Sequence, residues 1–335
     1  MQPVSVIATV LNEVDEIGRL VSSLMSQIPP PSEVVIVDGG STDGTWERLL
    51  DEARVHPNLV PIRDESCNLK RCPGPISRGR NVAIAAASSQ IVACADAGCT
   101  YAPDWLARLT APIAAGAAEY ALGGACLDPV DPTVWDLASA HFFGVKLSPS
   151  APTKSCTARS MAFTKQLWQR IGGFPESFFY GEDTLFDLEA RRVTRPAFVE
   201  RAKALYRPQY TFRSACRQLA SYASSDGVLG VRAARLYRNA ARCLVQLIAL
   251  LSPLWALAFA HRYRSAEWWS LLPLAAVLAI EAWFAFHPDW RMLLRYCPRA
   301  LLARFLFSIL VPWIVAVNRL RGALGAKFPP NRQNA

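Results

Sequence analysis

The chain has 335 residues, room for one large domain with an appendage or for two domains. Its formal charge of +9 is uneven: residues 1–190 are net −8, residues 191–242 net +10 and residues 243–335 net +7, so an acidic front and a basic back point to two environments. The basic part adjoins long apolar runs and matches no nucleic-acid motif, which excludes a nucleic-acid binder, while nine cysteines without a CxxC pair exclude a zinc module and suit free thiols in a reducing compartment.

Val4–Leu11 is a short apolar run rich in β-branched residues, as expected of a strand buried on both faces. It lacks the basic flank of a secretory leader, so the first domain is expected to stay on the side of synthesis. Glu13 to Gln27 carries Ile17, Leu20, Val21, Leu24 and Met25 at helical spacing, and Pro29-Pro30-Pro31 ends that helix. Val34–Val37 reads as a second strand and Asp38 to Asp43 as a loop, with Ser41 or Thr42 a cap for the next helix. Leu59–Ile62 reads as a third strand, Pro75 to Ser88 as a helix and Gln90–Ala95 as a fourth strand ending at Asp96. Strands alternating with helices predict an α/β fold with a mostly parallel sheet. Ligands bind beyond the C-terminal strand ends of such sheets. Thr9/Asn12/Glu13, Asp38 to Asp43 and Asp96 to Gly98 all fall there, which predicts one cleft.

After Asp104 the pattern reads as irregular and rich in Pro and Gly. Ser155–Phe163 is expected to be a strand on the far side of the cleft, Gly172 to Pro175 a turn, and Gly181-Glu182-Asp183 the start of a helix through Arg192. From Thr211, Phe212, Cys216, Leu219 and Tyr222/Ala223 share one helical face, and Leu229, Ala233, Leu236 and Ala240 oppose Arg232, Arg235, Arg238 and Arg242. Such basic amphipathic helices lie on anionic membranes.

Cys243–Ala260 then runs 18 residues without a formal charge, and Trp268–Phe286 another 19 with only Glu281 charged. Phe305–Val317 is a third apolar run of 13. The expected organisation is a catalytic domain over 1–205, interfacial helices over 206–242 and a membrane region over 243–335. That region has two spans plus a surface or re-entrant segment at 305–317. The arginines at 291–304 and the basic tail are then cytosolic.

Five motifs occur in one order: Pro3 to Thr9 with Asn12-Glu13; Val37-Asp-Gly-Gly-Ser-Thr-Asp-Gly-Thr45; Arg78, Arg80 and Asn81; Ala95-Asp-Ala-Gly98; and Gly172-Gly-Phe-Pro with Gly181-Glu-Asp183. Together they resemble glycosyltransferase family 2, the GT-A fold, over about residues 3–225. The tail, with Phe212, Arg217 and Tyr222 before the apolar runs, is similar to that of members building bacterial exopolysaccharides, including the succinoglycan glucosyltransferase type.

The resemblance implies an inverting transfer of a sugar from a nucleotide-diphosphate donor, a UDP-sugar first, to a lipid-linked or glycan acceptor at the cytosolic face of a cell membrane. Thr9, Asn12, Glu13 and Asp38 would line the nucleotide pocket, and Arg78 or Arg80 would approach the uracil or the pyrophosphate. Asp96 matches the first acid of the Asp-x-Asp motif, the second being Gly98, and would hold Mg²⁺ or Mn²⁺. Asp183 matches the catalytic base, with Glu182 beside it orienting acceptor or base. Arg213 and Arg217 would meet a diphosphate or lipid phosphate, or simply supply membrane-surface charge. Two alternatives stay open: a polyprenyl-phosphate acceptor, and a catalytically silent nucleotide-sugar binder within a polysaccharide assembly machine.

Overall fold

The computed structural model describes residues 2–147, 158–230, 233–260 (for 252–260 the backbone alone), 275–279, 282, 293 and 297–324. Contacts divide the chain into two units, Met1–Asp131 with Gly144–Pro208, and Pro132–Phe143 with Gln209–Ala335.

The first unit opens with strictly alternating strands and helices: β1 (Val4–Val10), α1 (Val14–Met25), β2 (Glu33–Asp38), α2 (Thr45–Val55), β3 (Leu59–Arg63), α3 (Pro75–Ala86) and β4 (Ile91–Cys94). Each element predicted here is present, with ends shifted by a few residues at most. β1 pairs in parallel with β2 and β4, and β2 with β3. The β1, β2 and β4 segments are apolar runs because both of their faces are covered. Val6, Val34 and Ile36 meet Ile17, Leu20, Leu24 and Leu49 on one side, and Ile7, Val35, Val37 and Val92 meet Ala83 and Ile84 on the other.

The stretch after Asp104 is more ordered than expected. β5 (Cys99–Tyr101) precedes it; α4 (Trp105–Ala114) and β6 (Tyr120–Leu127) come first within it, and then α5 (Val134–Ser139), which groups with the second unit. A 3-10 turn at Ala158–Ser160 precedes β7 (Met161–Thr164), α6 (Lys165–Arg170), α7 (Glu182–Val193) and β8 (Ala197–Tyr206). The regular structure was masked locally: α4 contains Pro112, and β6 is buried along its whole length and carries Gly123-Gly124, so neither shows a clean period. The strand expected over 155–163 begins only at Met161, and residues 155–157 lie outside the described residues. The sheet order is β3-β2-β1-β4-β7-β6-β8-β5, with β7 antiparallel to β4 and β6, β8 parallel to β6, and β5 antiparallel to β8. This is the mixed, mostly parallel sheet flanked by helices that the motifs implied.

In the second unit, α8 (Phe212–Val228) starts at a capping box between Thr211 and Ser214, and α5 at one between Thr133 and Asp136. Tyr210, Ala215, Leu219 and Ala223 form a core with Phe307, Val311 and Val315 of α10 (Pro298–Ala323). α8 and α10 touch at backbone distance: a Cβ on Gly227 would lie 2.1 Å from the Arg319 carbonyl oxygen, and one on Gly322 2.1 Å from that of Ser224. α9 (Ala233–Ala260) runs unbroken from the arginine-rich stretch into the first apolar run, so the two are one helix of 28 residues. The third apolar run is likewise a part of α10, whose 26 residues are long and apolar enough to cross a membrane by length and composition, where a shorter surface segment was expected. Its apolar residues are interrupted by Arg299, Arg304 and Arg319, and this hid its length in the sequence. Most of the second apolar run, 268–286, lies outside the described residues.

Candidate functional site

The site forms where β1, β2 and β4 end. Beyond β1 the chain turns through Asn12, held at a positive φ of 57°. The Asn12 N–H donates to Ser41 Oγ at 2.9 Å, and its side-chain carbonyl accepts from the Thr42 N–H at 2.9 Å. The Glu13 N–H donates to Thr45 Oγ1 at 2.8 Å. These bonds lace the loop after β1 to the loop after β2.

Asp38 is fully buried and serves that second loop, accepting from the Ser41 N–H at 3.1 Å and from the Ser41 hydroxyl. Its neighbour is Gly39 because a Cβ there would stand 2.5 Å from the Cys67 carbonyl oxygen. A second acid at this position is excluded by the backbone of the 64–68 turn. Glu13, at the start of α1, is partly buried, and burial pushes its carboxyl up to about 7, with the charges of Glu16, Asp43 and Asp96 adding to the effect.

Arg78 and Arg80 part company. α3 lies close on β1 at Gly79, where a Cβ would meet Thr9 Cγ2 at 2.7 Å, and the two arginines diverge from that contact. Arg78 donates from Nε to Ser66 Oγ at 2.8 Å and reaches Glu176 at 3.2 Å. Arg80 is buried, donating from Nη1 to Glu182 Oε1 at 2.8 Å and from Nη2 to Asp96 Oδ1 at 2.9 Å. Its guanidinium also lies over the Phe174 ring, which stacks on Phe186. Arg80 therefore joins the acid after β4 to the acid that opens α7, two positions 86 residues apart in the chain.

Glu182 is nearly buried. Burial and the charge of Asp183 push its carboxyl up, against the pull of Arg80. Asp183, partly exposed in the first turn of α7, accepts from the Thr184 N–H at 2.7 Å. Asn81 sets the approach of this helix: its amide donates to the Phe174 carbonyl and Glu176 Oε1, both at 2.9 Å, and its carbonyl accepts from the Phe174 N–H. Arg213 and Arg217 are exposed on α8, in the second unit.

Sequence reasoning missed Arg159. Its guanidinium lies over Tyr206 at 4.1 Å, with Nε 3.9 Å from Asp96 Oδ2. Its one signal was a charge embedded in the otherwise small or apolar stretch Ala158–Phe163.

The expected Mg²⁺ or Mn²⁺ depends on Asp96. Gly98 supplies no second carboxylate, both Asp96 oxygens face guanidinium groups, and among the described residues no three His, Cys, Asp or Glu side chains cluster so as to hold a metal. A hard divalent ion held by one or two carboxylates takes its remaining ligands from substrate phosphates and water. Asp96 is the single carboxylate offered here, with both oxygens already turned to guanidinium groups, so the protein's own side chains do not build an ion site.

A solved mannosyltransferase from Pyrobaculum calidifontis, in complex with GDP-Man and Mn²⁺, is similar in fold, with a TM-score of 0.52 and 22% identity over 94% of this chain and 87% of that one. S. aureus TarS residues 1-349 align at a TM-score of 0.48 with 18% identity, over 96% and 90% of the two chains. In sequence, glycosyltransferase AglE of Haloferax volcanii is 28% identical over 186 residues, 54% of this chain, and the chain spans 58% of that relative's length. The model of the family described as Glycosyl transferase family 2 matches residues 5–187, from β1 into α7. That stretch is more than half of the chain and contains Asp96, Arg80, Glu182 and Asp183, the charged network just described; the chain belongs to glycosyl transferase family 2.

Proposed function

We propose that the chain is an inverting glycosyltransferase that moves a sugar from a nucleoside-diphosphate donor to a lipid-linked or glycan acceptor at the cytosolic face of a membrane. The observation that carries this reading is the Arg80 bridge, which fixes Asp96 and Glu182 at one point and leaves Asp183 beside them, partly open to solvent. Asp183 takes the acceptor hydroxyl proton as the acceptor oxygen attacks the anomeric carbon from the face opposite the leaving diphosphate. An α-linked donor then yields a β-linked product. Glu182, anchored by Arg80, holds the α7 terminus, and with it Asp183, in place. Thr9 near the end of β1, Asp38 at the end of β2, and Asn12 and Glu13 in the laced loop after β1 form the nucleotide side of the cleft.

The membrane part of the reading draws on the second unit. At 1.5 Å per residue the 26 residues of α10 extend about 39 Å, more than a ~30 Å hydrocarbon layer. α9 exposes Leu244, Ile248 and Leu251 along one side beyond its arginines.

The test incubates membranes containing the full chain with a panel of UDP- and GDP-sugars, with and without Mg²⁺ or Mn²⁺, and follows nucleoside diphosphate release. Release from one donor that falls at least ~100-fold in Asp183→Asn supports the reading. Full activity in Asp183→Asn refutes the role of the base. Binding of a donor without turnover by the wild type would favour a silent binder, and transfer to polyprenyl phosphate alone would place the acceptor in that class.

A further inference from the structure

The acid-rich site carries its own cations. Asp96 and Glu182 are matched by Arg80 and Arg159, so the four side chains sum to zero formal charge, as two carboxylates and a divalent ion do. The two arginines are used differently. Arg80 is buried, with one nitrogen on each acid. Arg159 is 20% exposed, and its Nε stands 3.9 Å from Asp96 Oδ2, an ion-pair distance too long for a hydrogen bond. It is nonetheless held in position. The Tyr101 hydroxyl donates to the Arg159 carbonyl at 3.1 Å and accepts from the Asp96 N–H at 3.0 Å, so one buried phenol ties the two backbones together. The Tyr206 ring supports the guanidinium from below at 4.1 Å.

We propose that Arg159 binds the diphosphate of the donor, and that its guanidinium supplies the charge stabilisation that a second carboxylate and a divalent ion would otherwise supply together. This rests on the glycosyltransferase reading above. A planar guanidinium matches phosphate oxygens with two parallel N–H donors and keeps its protons throughout. As the bond between the anomeric carbon and the phosphate oxygen breaks, its electron pair passes to that oxygen. The acceptor oxygen bonds to the carbon, its proton passes to Asp183, and Arg159 balances the charge gathering on the departing nucleoside diphosphate.

The experiment uses the full chain in detergent with EDTA present. Binding of UDP and GDP, against uridine and guanosine, is measured by calorimetry for wild type, Arg159→Gln and Arg159→Lys. Loss of a charged hydrogen-bonding group predicts about 10- to 100-fold weaker diphosphate binding in Arg159→Gln, an intermediate loss in Arg159→Lys, and unchanged nucleoside binding. Donor turnover by the wild type is expected to persist in EDTA. The proposal is overturned if Arg159→Gln binds both diphosphates like wild type, or if EDTA abolishes turnover and Mn²⁺ or Mg²⁺ restores it; the transferase reading survives either result. Absence of turnover under every condition removes that reading instead, while the binding series still decides whether Arg159 meets a diphosphate. Should Arg159→Gln lose its circular dichroism, Arg159→Lys carries the comparison.

Discussion

Replacing Arg80 with Met isolates the bridge at the centre of the site. The substitution keeps most of the side-chain volume and removes the charge, leaving Glu182 and Asp96 facing each other without their shared cation. Breaking a buried pair by removing one partner costs about 3–5 kcal/mol. In a unit of roughly 200 residues each kcal/mol moves Tm by about 2–4 °C, so the first unit is expected to melt about 6–20 °C lower. Thermal unfolding of the full chain in detergent, with hydrogen exchange resolving α3 and α7, reads this directly. The double variant Arg80→Met/Glu182→Gln restores part of the loss, because a neutral amide no longer suffers from the missing cation. A fall in Tm under about 2 °C, or a double variant no more stable than Arg80→Met, would refute the claim that Arg80 holds α7 to β4 electrostatically.

Two further outcomes follow from single contacts. Glu13 has a carboxyl raised to about 7 from an ordinary value of 4.5, so the folded state binds its proton more tightly; stability is full below pH 4.5 and declines as pH rises toward 7. Glu13→Gln removes that decline and stabilises the protein at pH 8 by on the order of 2 kcal/mol, with no gain at pH 4, as pH-dependent melting would show; an equal gain at both pH values would contradict the assignment. Gly322→Ala places a methyl group 2.1 Å from the Ser224 carbonyl, forcing α8 and α10 apart at about 1–3 kcal/mol, measured as faster proteolysis of the second unit; wild-type resistance would mean the helices are not in backbone contact.

The first half of the fold was legible because its physics is local. β1, β2 and β4 are covered on both faces, so they read as apolar runs, and α1 between them buries Ile17, Leu20, Val21 and Leu24 along one stripe and so reads by period. The site acids were legible for a related reason: polar residues at the C-terminal ends of parallel strands converge, and Thr9, Asn12, Glu13, Asp38 and Asp96 all sit at such ends. β6 and α4 were not legible, since glycines and a proline hide their periods while distant strands stabilise them.

The alternating α/β unit, the family motifs and the acids at its strand ends depend on neighbours within a turn or a strand, so the chain alone displays them. How those acids are used is set by long-range packing. Arg78 and Arg80 look alike in sequence, yet a helix contact at Gly79 sends one to Ser66 and Glu176 and buries the other between Asp96 and Glu182. Arg159 reached Asp96 through Tyr101, across 63 residues of chain, and the Cys67 carbonyl dictated glycine at position 39. Such choices are made by groups far apart in sequence that share a few ångströms of space, where charge pairing and steric exclusion act through distance alone.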